Sequence, residues 1–235
     1  MKVRFGLKMF ALVVLVVVSG SHRINAQFIH PKIKSKETTI RTVVVMPAKV
    51  NVVRDSMKGP EGMAAESDEL SVRVEKMVAE VLSKRKNVTT LPIPGAAAAA
   101  PADGDSQQKY NLADFQSKFD ELLPKIMKKR SDVKKGRFSM GDEVLNLNLE
   151  KGADAIVFIR GAGKKLTSGK TAMRWLVGGV VPAYLRLQIG IVDARNGEVL
   201  LYTDPIFPGD PTTAVDRLRK ALEKGFKKLP EVKAQ

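Results

Sequence analysis

"AYLRLQIGIVDARNGEVLLY", residues Ala183 to Tyr202, carries the clearest structural signal in the chain. Tyr184, Arg186 and Gln188 alternate with Leu185, Leu187, Ile189 and Ile191, a period of two that predicts a strand with one wetter face. Asn196-Gly197 lies at the heart of a turn, because both residues tolerate the positive φ that a tight hairpin demands. "EVLLY" then returns antiparallel, so the segment is a β-hairpin. Upstream of it, strand and helix patterns alternate. A hairpin closing such a chain predicts an α/β fold with a mixed sheet and amphipathic helices packed on it as a two- or three-layer sandwich.

Working back from the hairpin, "DAIVFIRG" predicts a buried strand over Ala155–Ile159. Ser139 and Asp142 resemble a capping box opening a short helix through Leu149, with Gly152 as its terminating glycine. A helix from about Leu112 places Phe115, Phe119, Leu122, Leu123, Ile126 and Met127 on one face, and Pro124 is expected to kink it or to start a second segment. Gly95 to Gln108, "GAAAAAPADGDSQQ", is low in complexity. Five alanines between prolines are too few to nucleate a helix, so residues 95–108 read as a flexible insertion.

Nearer the N-terminus, Leu70, Val74, Met77, Val78, Val81 and Leu82 form one apolar helical stripe, with Ser67 as the expected N-cap. Asn87 to Ile93 reads as a short strand, and Gly59, Pro60 and Gly62 as a loop. Thr42 to Met46 is a β-branched apolar run that Pro47 should end or bend. Downstream of the hairpin, Asp210 is expected to cap a helix beginning at Pro211, with Val215, Leu218, Leu222 and Phe226 on its buried face. The expected organisation is a basic arm over 27–39, one domain over 40–230 and a tail over 231–235.

Residues 1–26 have the layout of a secretory signal peptide. Lys2, Arg4 and Lys8 precede the apolar run Met9–Val18, and Ile24-Asn25-Ala26 offers a small-residue cleavage site. The run is roughly ten residues, about half of what a membrane-spanning helix needs, and nothing downstream is apolar enough to span. Formal net charge is +15; cleavage would remove four cations (Lys2, Arg4, Lys8, Arg23) and leave +11. Such a surplus attracts anionic partners. Export makes nucleic acid an unexpected partner and envelope polymers or anionic lipid the expected ones. The chain has no cysteine, and therefore no disulfide, no thiol nucleophile and no site for an N-terminal lipid. His22 and His30 are its only histidines, one in the signal and one in the arm, so no histidine triad or zinc site is expected. The chain reads as a non-enzyme without cofactor or metal.

"RGAGKKLTSGKTAMRWL", Arg160 to Leu176, imitates a phosphate-binding loop with its Gly169-Lys170-Thr171 ending. The required glycine five residues before Gly169 is Lys164, and Gly163 is one position too far upstream. A Cβ and an extra residue both spoil a cradle of backbone amides, so nucleotide hydrolysis is not expected. Asp193, which imitates a magnesium-orienting aspartate, precedes the Asn-Gly turn, where aspartate bonds local backbone. Acidic neighbours such as Asp120/Glu121 read as solvated helix faces.

Two basic clusters remain as possible polyanion-binding residues: Lys128, Lys129, Arg130, Lys134, Lys135 and Arg137, and Lys164, Lys165, Lys170 and Arg174. Each reads either as a solvated surface or as a salt-sensitive anion contact. Trp175, Leu176, Val177, Val180 and Val181 are more apolar than a loop needs. Core packing would use them, and so would a partner or membrane-interface patch.

"TVVVMPAKV", "GADAIVFIRG" and "YLRLQIGIVDARNGEVLLY" together resemble a bacterial envelope superfamily that includes CsgG, LpoB and the N-terminal domain of TolB. The resemblance rests on Gly152-Ala153-Asp154 opening a strand and on Val192, Asp193, Gly197 and Glu198 closing one, over roughly residues 40–203. It implies a small α/β domain without catalysis that docks a partner or self-associates in the envelope. The absence of a lipidated cysteine sets this chain apart from the lipoprotein members.

Overall fold

The long antiparallel pair at the centre of the sheet follows from the two most apolar stretches of the chain. In the computed structural model, which describes residues 27–91, 93, 112–141, 144, 152–177, 182–213 and 215–232, strand β6 (Ala155–Leu166) pairs with β7 (Tyr184–Asp193) in unbroken register from Ala155↔Asp193 to Lys164↔Tyr184. The remaining described strands are β1 (Gln27–Ile29), β2 (Thr42–Val45), β3 (Lys49–Ser56), β4 (Gly59–Gly62), β5 (Thr89–Leu91), β8 (Val199–Thr203) and β9 (Ile206–Pro208). The principal order is β1-β8-β7-β6-β2-β5, with β3 beside the far half of β6, β4 outside β3, and β9 beside the first residues of β7. β2 and β3 run parallel to β6, while β7 runs antiparallel to it, so the sheet is mixed as expected.

Pro47 falls in a break between β2, which ends at Val45, and β3, which begins at Lys49, in keeping with the end or bend expected there. Val45 pairs with Val157 and Lys49 with Arg160, so four steps on one strand oppose three on the other. The extra residue is a bulge, placed where proline has no N–H to give the ladder. The chain then continues along β6 as β3 and turns back as β4 through Met57-Lys58. Gly59 to Gly62, read from sequence as a loop, is therefore a strand. Residues 27–39, the expected arm, hold β1 on the edge of β8 and a helical turn, α1 (Pro31–Lys34), with Phe28, Ile29 and Ile33 buried.

Alternation sends successive side chains to opposite faces, and helices cover both, making three layers. On one face Val43, Val45, Val157, Ile159, Leu187 and Ile189 pack under α2 (Ala64–Lys86) and α6 (Val215–Gly225). The opposite face carries Val44, Met46, Ile156, Phe158 and Tyr202 under α3 (Leu112–Lys128), with α4 (Arg130–Lys134) beside it. The apolar stripe predicted on α2 is buried throughout. α3 runs through Pro124 as one helix.

Several predicted helix ends move. α2 begins at Ala64, which leaves Ser67 inside it; the Ser67 hydroxyl donates back to the Met63 carbonyl and accepts from the Val52 N–H at 2.9 Å. Asn87, placed in a strand by the sequence reading, is the left-handed C-cap of α2. Asp210 caps a turn, accepting from the Thr212 N–H at 2.9 Å, and α6 is described from Val215. Ser139 bonds Asn196 and Gly141 beside the hairpin turn. Asp142, Leu149 and the insertion 95–108 lie outside the described residues.

Candidate interaction surfaces

The stretch that imitates a phosphate loop is the far half of β6. Gly161 and Gly163 lie in register between β3 and β7, so their backbone groups belong to the sheet ladder. They are glycines because the sheet is crowded there. A Cβ on Gly161 would stand 2.9 Å from Leu187 Cδ2 and from Val50 Cγ2, and one on Gly163 3.2 Å from Val52 Cγ2. A flat strand whose amides face neighbouring strands cannot wrap a triphosphate. Asp193 holds local groups, accepting from the Arg195 N–H at 2.8 Å and from the Arg195 guanidinium.

Beyond β6 the chain forms helix α5 (Ser168–Val177). Lys164 and Lys170 both reach Asp55 on β3, at 2.6 and 3.4 Å. The hydrogen bond from Lys164 is the main reason the Asp55 carboxyl is held below the usual carboxylate range; burial opposes it and the charges of Lys164 and Lys170 reinforce it. Lys165 reaches Thr212 Oγ1 at 3.1 Å and Asp210 at 3.5 Å. Three cations of one predicted cluster thus have partners within the chain. The Arg174 side chain lies outside the described residues.

Among the described residues, the same helix carries the most exposed large apolar side chains. Trp175 is 83% exposed and Leu176 84%, with Met173 partly exposed on the same helix. Met57, 64% exposed at the β3–β4 turn, lies beside Gly169, whose Cβ would sit 3.7 Å from its Cγ. Core packing, one of the two uses expected for Trp175 and Leu176, is overturned. α5 leans on β3 and β6 at the end of the sheet, and Trp175 and Leu176 are left uncovered by the described residues. The Val177 side chain, Val180 and Val181 lie outside the described residues.

The other basic cluster gathers at the end of α3 and around α4. Lys128, Lys129, Lys134, Lys135 and Arg137 are exposed, and among the described residues none has an acidic partner. Lys134 lies 5.6 Å over the Phe28 ring. The Arg130 side chain is outside the described residues.

Asp120 is not the solvated acid that its helical position suggested. It pairs with Arg160, a buried β6 residue whose remaining donors reach the carbonyls of Ile159 and Gln116. No sequence signal joins two residues this far apart, save that an arginine closing a strand as apolar as Ala155–Ile159 requires a partner. Among the described residues no cluster of His, Asp and Glu could share a metal ion, and no helix is long and apolar enough to cross a membrane.

No protein-family model and no curated protein matches the chain. Among solved structures the chain is similar to the PelC dodecamer from Paraburkholderia phytofirmans, at 11% identity and a TM-score of 0.40, covering 88% of this chain and 97% of that one. It is also similar to the lipoprotein GNA1162 from Neisseria meningitidis, at 14% identity and a TM-score of 0.33, covering 80% and 94%. These likenesses do not establish the superfamily expected from the sequence motifs.

Proposed function

We propose that the chain is an exported, non-enzymatic α/β domain of the bacterial cell envelope, acting in the periplasm or outside the cell as a protein-docking or assembly module, with α5 as its docking element. The carrying observation is the exposure of Trp175 and Leu176 side by side on a helix rooted to β3 through Lys170 and Asp55. Aromatic and large aliphatic side chains are favoured anchors at the centre of interfaces, and a folded domain gains nothing by leaving such a pair in water. The signal layout of residues 1–26 and the motifs shared with the envelope superfamily support the export and the setting.

Site-specific photocrosslinking in a bacterium exporting the full chain tests this reading. A crosslinker at Leu176 should give a discrete adduct in the envelope fraction, and one at Val72, exposed on α2, should not. An adduct of twice the chain's mass identifies self-association. Retention in the cytosol, or the same adducts from both positions, overturns the proposal.

A second reading is a secreted polyanion binder, favoured by the exposed cations Lys128, Lys129, Lys134, Lys135 and Arg137, which have no acidic partner among the described residues. Its contacts would be with anionic lipid or cell-wall polymer and would weaken steeply with salt, which docking by Trp175 would not.

A further inference from the structure

A cavity of about 570 Å³ opens at the end of the sheet where β2 and β5 begin, remote in the chain from either cluster read from the sequence. Lys36 and Arg41 line it from one side, with Thr38 and Thr39 between them; Thr89 lines it from β5, and residues 230–232 close the far wall. Among the described residues no protein group hydrogen-bonds the side chain of any of these five. The contrast with Lys164, Lys165 and Lys170, each matched to an acid of the chain, is direct. One guanidinium, one ammonium and three hydroxyl side chains thus line one concavity without a hydrogen bond to a described protein group, and form a donor-rich site.

Two left-handed residues shape the cavity. Among the described residues, the non-glycine residues in the left-handed region are Lys36 (φ 63°) and Asn87 (φ 54°), and both line this cavity. Both follow the end of a helix, Lys36 that of α1 and Asn87 that of α2, so two helix termini shape the rim. Asn87 donates to the Val232 carbonyl at 3.0 Å and so fixes the far wall. Exposed Lys227 and Lys228, just past the end of α6, add positive field nearby, and Glu231 is the acid on the lining.

We propose that this cavity binds an anionic saccharide: a sugar unit bearing a phosphate, sulfate or carboxylate group, the oxyanion held by Arg41 and Lys36 and the sugar hydroxyls by Thr38, Thr39 and Thr89. The volume is within the range of small-molecule sites, and a lining without aromatic rings favours hydroxyl and charge recognition over stacking. The unit can come from a soluble envelope polymer or from the headgroup of an anionic glycolipid.

The test titrates the intact chain by calorimetry with a galacturonate oligomer, a sulfated oligosaccharide, an uncharged maltose oligomer, inorganic phosphate, and vesicles carrying a phosphorylated glycolipid. At least one charged saccharide or the glycolipid should bind saturably, and which of them binds identifies the source. Arg41→Ala and Lys36→Ala should each weaken binding about tenfold, while Lys220→Ala, at an exposed position of α6, leaves it unchanged. Glu231→Gln should tighten it. Arg41→Ala keeps the backbone N–H that bonds Asp154, so it should fold, and Thr38→Val tests the hydroxyls with the charge intact. The proposal is overturned if the uncharged oligomer or phosphate alone binds as tightly. It is equally overturned if no probe binds, or if Arg41→Ala and Lys36→Ala bind as the parent does.

Discussion

Ser71 Oγ accepts a 3.0 Å hydrogen bond from the backbone N–H of Val50, across the seam between α2 and the outer edge of β3. Ser67 does the same for Val52 at 2.9 Å, and the Glu75 carboxylate does it for Ala48 at 3.3 Å. The three acceptors are spaced by four residues, one row along the helix. An exposed strand edge would invite pairing with another chain, and this row closes the edge before β4 takes over at Val53. Ser71→Ala leaves a buried N–H unpaired and should cost about 1–2 kcal/mol. Urea unfolding measures the loss, and amide exchange at Val50 should quicken. Unaltered protection at Val50 would show that the edge is satisfied by other groups.

Gly190 on β7 lies directly beneath Phe119 of α3. A Cβ there would stand 2.5 Å from Phe119 Cε2 and 2.7 Å from Cζ. The ring cannot withdraw easily, since it is wholly buried and stacked on Phe158 with centroids 4.8 Å apart. Gly190→Ala should destabilise by about 1–3 kcal/mol through overpacking. Combining it with Phe119→Leu should cost less than the sum of the two single changes, read from thermal or urea unfolding of all four proteins.

Arg160 is 7% exposed and depends on Asp120 for its counter-charge. Asp120→Ala would leave the guanidinium with two carbonyls only and should cost about 2 kcal/mol, moderated because Asp120 itself is partly exposed. Arg160→Met combined with Asp120→Leu should recover much of that loss, because an apolar pair carries no uncompensated charge. A double variant no more stable than Asp120→Ala would mean that the ion pair does more than satisfy its own burial.

Acid should loosen α5. Asp55 has its carboxyl below the unfolded value, so its contribution is fully present above about pH 4 and drains as pH falls through the folded value. Lys164 and Lys170 lose their shared partner in that window. Amide exchange across α5 should accelerate at low pH in the parent chain, and Asp55→Asn should show the faster exchange already at neutral pH. An α5 equally protected in both proteins at pH 7 would rule out this clasp.

What local pattern can carry was legible in the chain alone. The hairpin of 183–202, the strand from Ala155, and the buried stripes of α2 and α3 all depend on alternation, helical period and turn chemistry between near neighbours, so the mixed α/β sheet followed from them. Wherever a residue's role depends on a distant segment, the sequence was silent or misleading. Ser67 looked like a cap because the edge of β3 that it satisfies cannot be seen from a helix, and Gly161 and Gly163 looked like a phosphate loop because the crowding of Val50, Val52 and Leu187 is invisible in one dimension. Trp175 and Leu176 illustrate the same limit. Hydrophobicity marked them as residues that avoid water, but only the position of α5 at the end of the sheet leaves them uncovered by the described residues. Charge behaves alike: lysine runs are plain in the sequence, whereas which lysines are neutralised depends on where Asp55 and Asp210 fall, and Arg41, Lys36 and Thr89 meet only because the sheet brings β5 alongside β2.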